Sequence, residues 1–198
     1  LPTTVAMFQE AELVASSFAC DITRVASMSL GDMPTDHFGW GDVTDDVHKG
    51  LAHEIYNNGD AHEAMTVYMT YHAQQIARLV SLLESVPDVD GNSVMDNTLI
   101  VWGSEMANGW HGYLNYCPVL IGGSWHFNTG RYMHWPHETP VQILAPDGYT
   151  QVSGKPHQHL LTSVSQAMGV DTNQFGITKV ETQNGARLDL TGPLPGLT

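Results

Sequence analysis

Positive charge is the scarcest feature of this chain. Only 7 Lys and Arg stand against 21 Asp and Glu, a formal net charge of -14, which argues against general affinity for nucleic acid or an anionic membrane. No uninterrupted apolar run approaches a bilayer span, so no membrane-spanning helix is expected. Cysteine is nearly absent too. Cys20 and Cys117 are too few for a zinc ribbon, and their apolar settings, "SSFACD" and "NYCPVL", fit either two free buried thiols or one disulfide in an oxidising compartment. The G-x-S-x-G elbow, the Walker loop, the dinucleotide fingerprint and the H-E-x-x-H helix are all missing, which removes the ordinary serine hydrolase, nucleotide-binding and zincin readings. The chain opens "LPTTVAMFQEAELV", without a starting Met or a secretory signal, as a processed chain or a fragment of a longer one would.

Histidine is plentiful by contrast: 11 of them outnumber all the Lys and Arg, which directs attention to metal or proton chemistry. With 198 residues and 42% hydrophobic content, the chain has the material for one sizeable core, and a single domain is expected. Met7, Ala11, Val14 and Phe18 share one face of a helix over residues 4–19. "DITRVASMSL", with Ile22, Val25, Met28 and Leu30, then suits a strand entering a sheet. Residues 31–59 read as a long loop rich in Asp, His and Gly, of the kind that carries function. Asp60 with Glu63 resembles a capping box; the stripe from Met65 to Leu83 marks a long helix ending near Pro87. "DVDGNSVMDN" is a turn-rich link that lacks the ligand pattern of a calcium loop. "TLIVWG" and "CPVLIGG" look like central strands buried on both faces, residues 125–156 are irregular, and "HQHLLTSVSQAMG" is a final helix with Gly169 as its C-terminal cap. Strands alternating with helices predict an α/β fold with a mainly parallel sheet, and residues 177–198 are expected as a peripheral tail.

Candidate ligands fall in loops. Beyond a parallel sheet's carboxyl edge, Glu105 could converge with His111 on a divalent ion; the alternative is a carboxylate paired within the fold and a plain loop histidine. "DDVHKGLAHE" supplies Asp45, Asp46, His48, His53 and Glu54, a set able to offer two or three ligands to one ion or to form a solvated polar loop. Asp36 and His37 are weaker candidates. His157 and His159 stand at the start of the last helix, where ligation and simple capping fit equally. His126, His134 and His137 among Trp125, Trp135 and Tyr132 suit a cleft wall or mere packing. His72 faces the apolar stripe and reads as a core residue, and no base marks Ser104 as a nucleophile.

Taken in order, "DITRVASMSLG", "HKGLAHE", "NTLIVWGSEMANGWH", "PVLIGGS", "TGRY" and "HQHLLTSVSQAMGVDTNQFG" resemble the C-terminal part of a secreted bacterial family of unassigned function, itself distantly similar to the alkaline phosphatases and sulfatases. The resemblance runs over roughly residues 5–176. It implies an alkaline-phosphatase-like α/β/α sandwich, in the form of a single domain over 1–198 or the C-terminal part of a larger one. It implies a periplasmic or extracellular location as well, through the twin-arginine export signal of the wider family. Carried over by position, Asp46 and His48 match an Asp-x-His loop, Glu105 and His111 match the acidic strand end and its later histidine, and His157 matches more weakly. Together these five would hold a divalent ion such as Zn, Mn or Ca. Met106 stands where the superfamily continues an Asp-His pair. The nucleophile half is not in this sequence, so an N-terminal segment or partner subunit outside the chain is expected to supply it. Two functions follow: a metal-dependent hydrolase of phosphate or sulfate esters, or a secreted non-catalytic binding or structural module, part of an extracellular assembly.

Overall fold

The computed structural model describes residues 2–30, 35–40, 46–136, 140–145 and 148–198, without the side chains of 2–8, 36, 144, 145 and 149. Asp45, His137 and the side chain of Asp36 therefore lie outside the described residues.

Helix α1 spans Pro2–Ala19 and α2 spans Gly59–Ser85. Proline at the first helical position loses no hydrogen bond, which suits the start of α1. The two helices pack through Ala11 and Ala15 of α1 and Leu79 and Leu83 of α2, all buried, with Val14 and Phe18 at the margin. Small alanines on one side let the leucines of the other fill the contact, and truncating Leu83, 1% exposed, would cost about 2–5 kcal/mol. The Arg78–Glu12 ion pair at 3.2 Å spans the same helices, but its exposure leaves it little weight.

The cap of α2 is Asn58, whose side chain accepts from the Asp60 amide, so Asp60 sits in the first turn rather than at the cap. At the other end Val86 is extended, φ -101 and ψ 121, because the ring of Pro87 bars its predecessor from the helical region. The turn-rich link then closes on itself. Asn97 donates to both Asp88 and Asp90, and Ser93 and Asp96 cap a short 3-10 helix over Val94–Asn97 reciprocally. The Asn97 bond first, and then the bonds from Asn92, hold the Asp90 carboxyl below its usual range.

Strands β1, Leu99–Trp102, and β2, Val119–Gly122, pair antiparallel, Ile100 opposite Ile121. Alternation sends Ile100 and Ile121 to the helical cluster and Leu99 and Leu120 to a second one built on Phe127, Leu160 and Leu197. The hairpin thus lies between two apolar clusters. Strands β3, Val141–Ala145, and β4, Gly148–Val152, form a second antiparallel pair, and β5, Lys179–Glu181, with β6, Arg187–Asp189, a third. Each sheet has two strands.

This arrangement overturns the expected alkaline-phosphatase-like α/β/α sandwich: among the described residues there is no parallel sheet. An apolar run packed on both faces carries no mark of its direction, and residues 103–118, which join β1 to β2, form no crossover helix. The segment 22–30 is irregular rather than a strand, with Ile22 and Val25 76% and 82% exposed. Cys20 and Cys117 are free but exposed, so they are neither buried thiols nor a disulfide.

Helix α3, His157–Ala167, ends as its sequence promises. Gly169 adopts φ 79 while its amide bonds the Gln166 carbonyl and the Val170 amide bonds Ser165, the paired bonds of a glycine-terminated helix. Residues 190–197 fold back onto it. Leu190 and Leu197 are buried, the Leu194 amide donates to the Ser163 hydroxyl, and Arg131 donates to the Gly196 and Leu197 carbonyls. No described helix is long and apolar enough to cross a membrane.

Candidate metal centre

Val47–Ala52 is a π-helix, capped by Asp46, whose carboxylate accepts from the His48 and Lys49 amides. Val47 and Leu51 anchor it, buried against Ala61, Ala64 and Tyr68 of α2. π-Turns are uncommon and gather at functional sites. Here the consequence is geometric. Five residues along an α-helix rotate a side chain by about 140°, whereas the π-type bond from the His53 amide to the His48 carbonyl, 3.2 Å, sets these two residues one above the other.

The third histidine arrives on the loop after β1. Gly109 lies against the end of the π-helix so closely that a Cβ there would run into the Ala52 carbonyl. His111 then takes a left-handed backbone, φ 58, which costs a non-glycine residue about 1–3 kcal/mol unless its surroundings hold it. Asn108 does so: its side-chain oxygen accepts from the Trp110 and Gly112 amides, both 3.0 Å, and its carbonyl from the His111 amide. A further bond from the Ala107 amide to the Gly112 carbonyl closes the turn.

These two devices bring three imidazoles together. His48 Nε2 lies 3.2 Å from His53 Nε2 and 3.4 Å from His111 Nε2, and each residue offers a ligand atom within 4.8 Å of the others. The rings are tilted at 53–70° to one another with centres 4.9–5.3 Å apart, fanned about a shared point rather than stacked. Zn–N bonds of about 2.0–2.1 Å in a tetrahedron separate neighbouring nitrogens by about 3.3 Å. The two spacings from His48 match, and the third pair closes within 4.8 Å. Without an ion the geometry is oversubscribed, because one ring nitrogen has either a single N–H or a single lone pair, yet His48 Nε2 faces two partners. A cation between them satisfies all three.

Of the residues singled out from sequence, His48 and His111 belong to this group. His53, noted in the same loop as a possible ligand five residues after His48 but left out of the metal set, completes it; what sequence did not show is that a π-turn makes that spacing converge. Asp46 stands one step back, as the cap that orients His48. Glu105 is exposed on a bend beyond Trp102 and is not in the group, so it is not a buried strand-end carboxylate. His157 is elsewhere, edge-on to Tyr116 at 5.3 Å. Desolvation lowers its pKa although the residue as a whole is exposed. His37 packs on Phe38 and Tyr71, and buried His72 on Tyr68. The His126 Nε2 is buried with no hydrogen bond among the described residues, and the Ser104 hydroxyl is committed to the Met106 carbonyl.

No family model, curated protein or solved structure matches this chain. The centre is therefore read from its own geometry.

Proposed function

We propose that the protein is a zinc-dependent hydrolase whose ion is carried by His48, His53 and His111. The convergence of three Nε2 atoms at 3.2 and 3.4 Å supports this reading. The donor set favours zinc over manganese or calcium: imidazole suits zinc, whereas calcium takes six to eight oxygens. Three ligands rather than four, with His48 and His111 exposed, leave a position for water, the pattern of a reactive rather than a purely structural zinc site. Zinc bound there supplies a water of lowered pKa and polarises the bond under attack. Apart from the ion itself, the side-chain charges nearby favour a neutral substrate over a phosphate or sulfate ester. Segments 46–58 and 103–118 carry Lys49 alone against Asp46, Glu54 and Glu105.

Zinc titration of the metal-free protein tests the proposal. One equivalent is expected, with affinity lowered at least about 100-fold in His48→Ala, His53→Ala and His111→Ala alike, since outer partners of metal ligands alone cost 10–100-fold. Zinc binding that is indifferent to all three substitutions overturns it.

A further inference from the structure

Trp110 precedes His111 and is 60% exposed. Its indole stands edge-to-face with the His53 ring, 5.5 Å between centres and 61° between planes, so an open aromatic surface borders one of the three ligands. Tyr113, two residues past His111, is 57% exposed. Part of the polar capacity of the same turn is already committed. The Asn108 side-chain oxygen is taken up by the Trp110 and Gly112 amides, and the Ser104 hydroxyl by the Met106 carbonyl. A lone aromatic on a surface needs no explanation, but one fixed against a ligand by a strained, hydrogen-bonded turn is positioned with the centre. Aromatic partners gain from such a face beyond the area they bury.

Resting on the zinc reading above, we infer that the centre binds neutral compounds carrying an aromatic ring next to the metal-binding oxygen, and that Trp110 is the residue that selects the ring. The sparse positive charge of the flanking segments gives an anionic substituent no partner besides the ion.

The test uses the full chain loaded with cobalt, whose visible spectrum reports on the ligand sphere, and two probes, benzohydroxamate and acetohydroxamate. Cobalt uptake is read first. Wild type should bind benzohydroxamate on the order of tenfold more tightly than acetohydroxamate. Trp110→Ala should bring the two within about threefold, and Trp110→Phe should keep most of the preference, each compared at full cobalt occupancy. Equal binding of the two probes by wild type, or a preference that survives Trp110→Ala, overturns the inference while leaving the metal centre standing. Failure to take up cobalt at all overturns both.

Discussion

The two segments that build the metal centre reach one geometry by opposite means. In the π-helix, an i→i+5 hydrogen bond aligns His48 with His53 at its C-terminal cap, anchored from beneath by buried Val47 and Leu51. In the loop after β1, no regular element exists, and one histidine is aimed by a left-handed backbone that Asn108 holds and Gly109 seats against Ala52. Side-chain position in the first is a property of the ladder; in the second it is a property of contacts. The loop should therefore be the more fragile half.

Breaking the loop's seat is expected to have the largest effect. Gly109→Val forces the loop off the Ala52 carbonyl, and zinc affinity should drop at least about 100-fold while the helical circular dichroism stays; retention of affinity would show that the close approach is incidental. Asn108→Ala removes two hydrogen bonds, each of about 1 kcal/mol net, and frees a backbone conformation costing about 1–3 kcal/mol. Affinity should fall roughly 10- to 100-fold by the same titration. On the π-helix side, Asp46→Ala deletes a cap of about 1 kcal/mol and should weaken zinc about tenfold, whereas Asp46→Asn, which still caps, should not. An equal loss in Asp46→Asn would move that carboxylate from cap to ligand.

The smallest effect expected lies away from the centre and sharpens the contrast between ligating and packing histidines. Desolvation lowers the pKa of His157 from 6.5, so unfolding takes up a proton there and its share of stability is lost as pH falls below that value toward the folded pKa. His157→Gln should therefore narrow the gap in melting temperature between pH 7 and pH 5. An unchanged gap would contradict the assignment.

Most helices were legible from the chain because their signals are local. The spacing of Ala11, Val14 and Phe18, the stripe from Met65 to Leu83, and Gly169 after α3 each report on a few neighbouring residues. Strand direction was not. "LIVW" and "VLIG" look alike in parallel and antiparallel pairs, since packing on both faces is what makes them apolar, and β-branched content alone made residues 22–30 resemble a strand that no partner receives. At the centre, His48 and His111 stood out by residue type and loop context. His53 was visible in the same loop five residues after His48, but the resemblance to an Asp-x-His loop paired His48 with Asp46 instead, and a five-residue interval belongs to neither the helical nor the strand period. Glu105 attracted attention on the premise of a buried parallel strand and through the resemblance, and it lost that role because it lies exposed on a bend outside the histidine group.

One ion among His48, His53 and His111, with a position left for water, is what the three imidazoles are proposed to hold. X-ray absorption at the zinc edge of the zinc-loaded full-length protein tests it most directly. Three imidazole nitrogens at about 2.0–2.1 Å with one further light-atom ligand is the result this account predicts. A shell with fewer than three imidazoles, or one containing sulfur at about 2.3 Å from an exposed cysteine, would contradict it.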